Sequence, residues 1–282
     1  MKILKRIAGV FLLLLLSALI AAAVSALAEH GGGEAVATVR GIRLTVTGTG
    51  AGLTFLTAAL FASLYRARGN MRGKRGGKTA GGWGERLNAA GFGFLPAAAV
   101  WKAFEHITAL GRGTEVTEHL PLLPFLTAEG RFCPSRIEMA GAVLFFAGIL
   151  IWLIVRRNDL PGNGDLLLTS LCLWSLFRPL TERFRAEPLF SGMGFSPVQI
   201  LFFILADVCL AVWTVRKARK QSSSIIFTVL EWIAVLACET VMVLNSSGIL
   251  NTDSGIGDLA VHAGCAALCG VLMLFSAKDS RS

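Results

Sequence analysis

Apolar residues in this chain come in unbroken runs parted by short charged or glycine-rich breaks, without the strict alternation of a half-buried strand. Walking from break to break separates eight runs: roughly Ile7 to Ala28, Gly50 to Tyr65, Leu87 to Ile107, Ile137 to Val155, Leu166 to Phe184, Pro197 to Val215, Ile225 to Leu244 and Ile256 to Phe275. About 20 apolar residues rising 1.5 Å each cross ~30 Å of hydrocarbon as a helix. The pattern therefore predicts an all-α fold, a polytopic membrane helix bundle of about eight transmembrane helices. The first run has a second reading. Lys2, Lys5 and Arg6 precede it and Ser25, Ala26, Leu27 and Ala28 close it, the layout of a signal peptide or a signal anchor. Cleavage would leave seven spans. The expected organisation is a leader or anchor over 1–28, a membrane bundle over 29–220 and a two-helix extension over 221–282.

Composition strengthens this picture. Of 282 residues, 54% are hydrophobic and 16% charged, against roughly 25% charged in an ordinary soluble domain. A soluble globular enzyme is thereby excluded. The net charge of +9 does not point to nucleic acid, because the basic residues sit between apolar runs and form no stripe interleaved with aromatics. With the N-terminus inside, 18 of the 27 Lys and Arg residues fall on inner segments, seven of them between Arg66 and Arg86. The C-terminus is then inside as well. The stretch Arg66 to Lys78 reads as a solvated basic loop near anionic lipid, and Thr108 to Ser135, with three prolines, as an arm over the membrane on the outer side. The six cysteines include no Cys-x-x-Cys pair, and five lie inside apolar runs, so neither a disulfide framework nor a metal site is expected. No sequence feature calls for a cofactor.

Charge inside the fifth run changes the picture more. Only 12 apolar or small residues, Leu166 to Phe177, precede Arg178, about 18 Å of helix. Arg178, Glu182 and Arg185 then fall within roughly 60° of one another on one helix face. An arginine in hydrocarbon costs a few kcal/mol and marks a functional site by default. Its planar fork suits phosphate or carboxylate, and two arginines with one glutamate leave a surplus positive charge for an anion. The alternative is a short helix whose last turn protrudes among headgroups. Ser135, Arg136 and Glu138 at the mouth of the fourth run, and Gln199 at the start of the sixth, converge on the same level, as does Lys102 with Glu105 and His106 near the end of the third.

These residues resemble the prolipoprotein diacylglyceryl transferase family. The likeness covers about 85 residues over the fourth to sixth runs: the Pro134-Ser135 helix entry, the Arg156-Arg157 loop, Phe177-Arg178-x-x-x-Glu182-x-x-Arg185, and Ser196-x-x-Gln199-Ile200. It implies a helical enzyme of the bacterial cell membrane that moves the diacylglyceryl group of phosphatidylglycerol to the cysteine thiol of a lipoprotein precursor. On that likeness Arg178 would contact the lipid phosphate, and Glu182 and Arg185 would complete the charged face; Arg136, Lys102, Ser135 and Gln199, at the same level, are further candidates for phosphate binding, although Arg136 stands where the family has glutamine and Lys102 is only the nearest cation to the place of a family arginine. The chain departs from the family in lacking its His-Gly-Gly and arginine-glycine-asparagine helices, and Cys133 stands where the family has histidine.

Two readings follow. A transferase needs a base to form the thiolate and a cation for the departing phosphate; Arg178, Glu182 and Glu138 are the catalytic candidates, with His106 a further base. A non-catalytic descendant would keep phospholipid binding as a scaffold. A small transporter with an anion site is a third, less favoured for want of paired halves with broken helices.

Overall fold

The computed structural model describes residues 13–24, 35–39, 42–73, 82–108, 113, 127–128, 131–155, 164–182, 197–220, 225–246 and 255–279. Among these the chain forms an all-α bundle. Its helices are α1 (Leu13–Val24), α2 (Val46–Gly73), α3 (Trp83–Ile107), α4 (Pro134–Val155), α5 (Asp165–Glu182), α6 (Pro197–Lys220), α7 (Ile225–Ser246) and α8 (Gly255–Asp279). Each overlaps one of the eight apolar runs. Four are long and apolar enough to cross a membrane: the stretches Thr47–Ala67, Pro134–Val155, Val198–Arg219 and Ile225–Asn245. Leu13–Val24 and Ala260–Phe275 are shorter apolar helices. α5 carries Asp165, Arg178 and Glu182 within its 18 residues.

Two antiparallel hairpins accompany the helices, β1 (Ala35–Val39) with β2 (Ile42–Thr45) and β3 (Thr127–Ala128) with β4 (Arg131–Phe132). The sequence reading named neither, although each pair of strands is parted by two residues ending in glycine, a hairpin signature. Helix ends also run past the apolar runs, most of all at α2. α2 continues through Arg66, Arg68 and Arg72 to Gly73, so half of the supposed basic loop is helix. α4 starts at Pro134, at the Pro134-Ser135 entry, because proline at the first helical position has its φ preset and its missing N–H costs nothing there.

The chain divides into two compact units. Unit 1 comprises 1–110 and 139–164. Here α2 and α3 meet closely at glycine: a Cβ on Gly93 would stand 2.3 Å from the Ala58 carbonyl oxygen, the small-residue contact by which apolar helices approach without a hydrophobic driving force. Phe61, Phe92 and Phe146 form an aromatic knot, with centroids 5.3 Å apart for Phe61–Phe146 and 5.1 Å for Phe92–Phe146. Ser17 on α1 donates to the Gly52 carbonyl at 2.7 Å.

Unit 2 comprises 111–138 and 165–282. Its core draws on α5 to α8, including Cys172, Leu176, Phe203, Leu210, Trp213, Val235, Met242 and Met273. The two C-terminal helices thus share a core with α5 and α6. Large apolar side chains remain outside, among them Ile225, Ile226 and Phe227 at the start of α7, while Glu138, Arg178 and Glu182 lie inside. Polar groups in and apolar groups out is the arrangement a lipid solvent selects.

Candidate anion site of unit 2

Three elements of unit 2 build the site. The first is the opening turn of α4, where the Arg136 amide donates to the Cys133 carbonyl at 3.0 Å and the Arg136 Nη1 donates to the Thr127 carbonyl of β3 at 3.3 Å. The helix entry is thereby tied to the hairpin before it. Ser135 is buried in this turn, and Glu138 lies one turn in with a fully buried side chain.

The second element is the last turn of α5. Arg178, Thr181 and Glu182 stand at i, i+3 and i+4, neighbours on one helix face. Pro179 falls between them and removes the amide that would bond the Ser175 carbonyl. Arg178 Nη1 reaches Glu182 Oε2 at 2.5 Å and, from α4, Glu138 Oε1 at 2.9 Å. It also donates to Thr181 Oγ1 at 3.3 Å. The Thr181 hydroxyl lies 2.5 Å from Glu138 Oε1 and 2.9 Å from the Arg178 carbonyl oxygen, two acceptors for one proton.

The third element is the start of α6. Gln199 Nε2 donates to the Pro179 carbonyl at 3.2 Å, one of the four carbonyls that the end of α5 leaves without an intrahelical amide. Phe202 places its ring 5.9 Å from Arg178 Cζ, within cation–π range. The structure therefore brings Glu138, Arg178, Glu182 and Gln199 together in unit 2.

The charge count differs from expectation. Glu138, read from sequence as a free base, is a partner of Arg178, so the surplus positive charge expected of the α5 stripe meets a second carboxylate. All three contacts of the guanidinium with these side chains run through Nη1. Arg185 lies outside the described residues. Lys102 belongs to unit 1, where its Nζ meets Glu105 Oε1 and Oε2, both at 2.8 Å, and Trp101 Nε1 donates to the same carboxylate at 2.7 Å. Thr181 and Phe202 escaped the sequence reading; Thr181 could have been found from its place on the face shared by Arg178 and Glu182.

Searches of protein-family models, curated proteins and solved structures found no match to this chain.

Proposed function

We propose that this chain is a membrane protein that takes a phospholipid phosphate at Arg178 and transfers the lipid's diacylglyceryl group to a thiol, with Glu138 as the base. One observation carries the reading: a buried carboxylate from α4 and a buried guanidinium from α5 stand 2.9 Å apart at the helix ends where the motif likeness to diacylglyceryl transferases is strongest.

In the unliganded protein Glu138 and Glu182 hold Arg178. A lipid phosphate approaching the Nε and Nη2 edge offers a bidentate, charge-assisted contact and weakens the hold of Arg178 on Glu138. The released carboxylate takes the proton of an acceptor thiol. The sulfur then attacks the glycerol carbon, the C–S bond forms, the C–O bond breaks, and its electron pair leaves on the phosphate oxygen, whose growing charge Arg178 stabilises. Glu182 stays in place and fixes the guanidinium rotamer.

The test uses purified protein in nanodiscs containing phosphatidylglycerol, with a fluorescent peptide carrying one acceptor cysteine. The expected result is a mass gain of one diacylglyceryl group with release of glycerol phosphate. Arg178→Ala and Glu138→Gln should abolish it, and Arg178→Lys should not restore it, since an ammonium lacks the fork. The second reading is phospholipid binding without transfer, in which Glu138 stays paired with Arg178 and is not freed to act as a base. It predicts no peptide modification, with anionic lipid co-purifying with the parent and lost from Arg178→Ala. Neither modification nor Arg178-dependent lipid binding would refute both.

A further inference from the structure

Thr181 stands one turn beyond Arg178 on α5 and is 2% exposed. Its Oγ1 lies 2.5 Å from Glu138 Oε1, 2.9 Å from the Arg178 carbonyl oxygen and 3.3 Å from Arg178 Nη1. Toward the guanidinium the hydroxyl can only accept, so its single proton is left for one of two oxygens. The contact with Glu138 is the shorter and has the length of a charge-assisted O–H···O⁻ bond. The contact with the Arg178 carbonyl is the back-bond that a helical threonine makes to its own preceding turn.

Glu138 Oε1 therefore receives two donors from α5, Arg178 Nη1 at 2.9 Å and the Thr181 hydroxyl. The two respond differently to an anion. Arg178 holds its guanidinium at the end of a long side chain with several torsions, so a phosphate that takes the fork can turn it. Thr181 carries no charge for the anion to pull, and branching at Cβ leaves its oxygen fixed by the α5 backbone and one stiff torsion. The hydroxyl stays on α5 while the guanidinium moves.

This difference matters to the reaction proposed above, in which Glu138 leaves Arg178 yet must stay ionised and aimed until the thiol proton arrives. With a side-chain exposure of 0%, Glu138 cannot exchange a lost donor for water. The Thr181 hydroxyl is the donor that remains when Arg178 turns. Once the proton reaches Glu138, the hydroxyl can rotate to the Arg178 carbonyl, 2.9 Å away, and keep a bond.

We propose that Thr181 is a positioning residue for Glu138: its hydroxyl holds the carboxylate while Arg178 engages a lipid phosphate, and turns to the Arg178 carbonyl when Glu138 takes the thiol proton. This role rests on the transferase reading above.

The nanodisc transfer assay, with phosphatidylglycerol and peptide varied separately, is run on the parent, Thr181→Val and Thr181→Ser. Valine keeps the branched shape and removes the hydroxyl; serine keeps the hydroxyl. Thr181→Val should lower kcat about 10- to 100-fold, the worth of one hydrogen bond to a charged group, with KM for phosphatidylglycerol and Arg178-dependent lipid co-purification unchanged. Thr181→Ser should recover transfer to within about threefold of the parent, the remainder reflecting its freer χ1. Should Thr181→Val fail to fold, Thr181→Ala removes the same hydroxyl and carries the same expectation. Transfer by Thr181→Val within threefold of the parent, or a raised KM at unchanged kcat, overturns the role of Thr181 and leaves the transferase reading standing. If the parent binds lipid without transfer, that reading fails instead, and infrared difference spectra on adding phosphatidylglycerol decide the role of Thr181. The Glu138 carboxylate band, assigned by its loss in Glu138→Gln, should then move further in Thr181→Val than in the parent or Thr181→Ser, and equal movement overturns the proposal. Absence of both transfer and lipid binding in the parent overturns the two together.

Discussion

Replacing Arg178 with methionine probes the buried charge cluster directly. The substitution keeps an unbranched side chain but removes the cation that lies 2.9 Å from Glu138 Oε1 and 2.5 Å from Glu182 Oε2. At an effective dielectric near 20, one such contact at 2.9 Å is worth about 6 kcal/mol of Coulomb attraction before desolvation is counted. Desolvation of the ions offsets much of this, yet removing one partner of a buried pair still costs ~3–5 kcal/mol, because the remaining buried charge loses the cation beside it. Glu138 and Glu182 have side-chain exposures of 0% and 1%, so neither carboxylate can recover its hydration without opening the bundle. The assay is denaturant and thermal unfolding in micelles followed by tryptophan fluorescence, with a fall in midpoint on the order of 10 °C expected. A companion protein carrying Arg178→Met, Glu138→Gln and Glu182→Gln should recover most of that loss, since removing every ion from a low-dielectric site is often neutral or stabilising. If Arg178→Met unfolds within 0.5 kcal/mol of the parent, or if the triple variant is no better than the single one, the charge-compensation account fails.

Three further predictions concern packing, local electrostatics and topology. Gly93→Ala should destabilise by about 1–3 kcal/mol through overpacking, because the new methyl meets the Ala58 carbonyl oxygen at 2.3 Å; Gly148→Ala on α4, with open space around it, should be neutral or slightly stabilising, and limited proteolysis of the two side by side reads the difference. A double-mutant cycle of Asp165→Asn and Arg216→Gln should give a coupling of about 1–3 kcal/mol, weaker in high salt because Arg216 is 29% exposed; a coupling near zero would mean that the 2.6 Å contact contributes nothing net. Single-cysteine variants at Ser282 and in the segment 74–81 should both be shielded from a membrane-impermeant maleimide added outside intact cells, while one at Thr127 should label, as the distribution of Lys and Arg requires.

Much of the fold was legible from the run pattern alone, since a segment that must satisfy its own backbone in lipid has few options besides helix. Each apolar run corresponds to a helix within a few residues. The bounds that differ most, the ends of α2 and α6, fall where basic sequence continues a helix past the last apolar residue. The hairpins went unnamed because strands of five residues or fewer, parted by two residues, carry little signal beside long helical runs.

For the site, sequence determined which helix face carries charge: Arg178 and Glu182 at i, i+4 meet as helical geometry dictates. It also determined that Glu138 stands in the opening turns of α4 and Gln199 in that of α6. Only the tertiary structure decided what those faces touch. Glu138 and Arg178 are 40 residues apart, and no periodicity relates them; helix packing makes Glu138 a partner of Arg178 and adds a second carboxylate to the cluster. Local geometry acts through bonds along one helix and is written in residue spacing, whereas contacts between helices depend on how whole faces fit, which no short stretch of the chain contains.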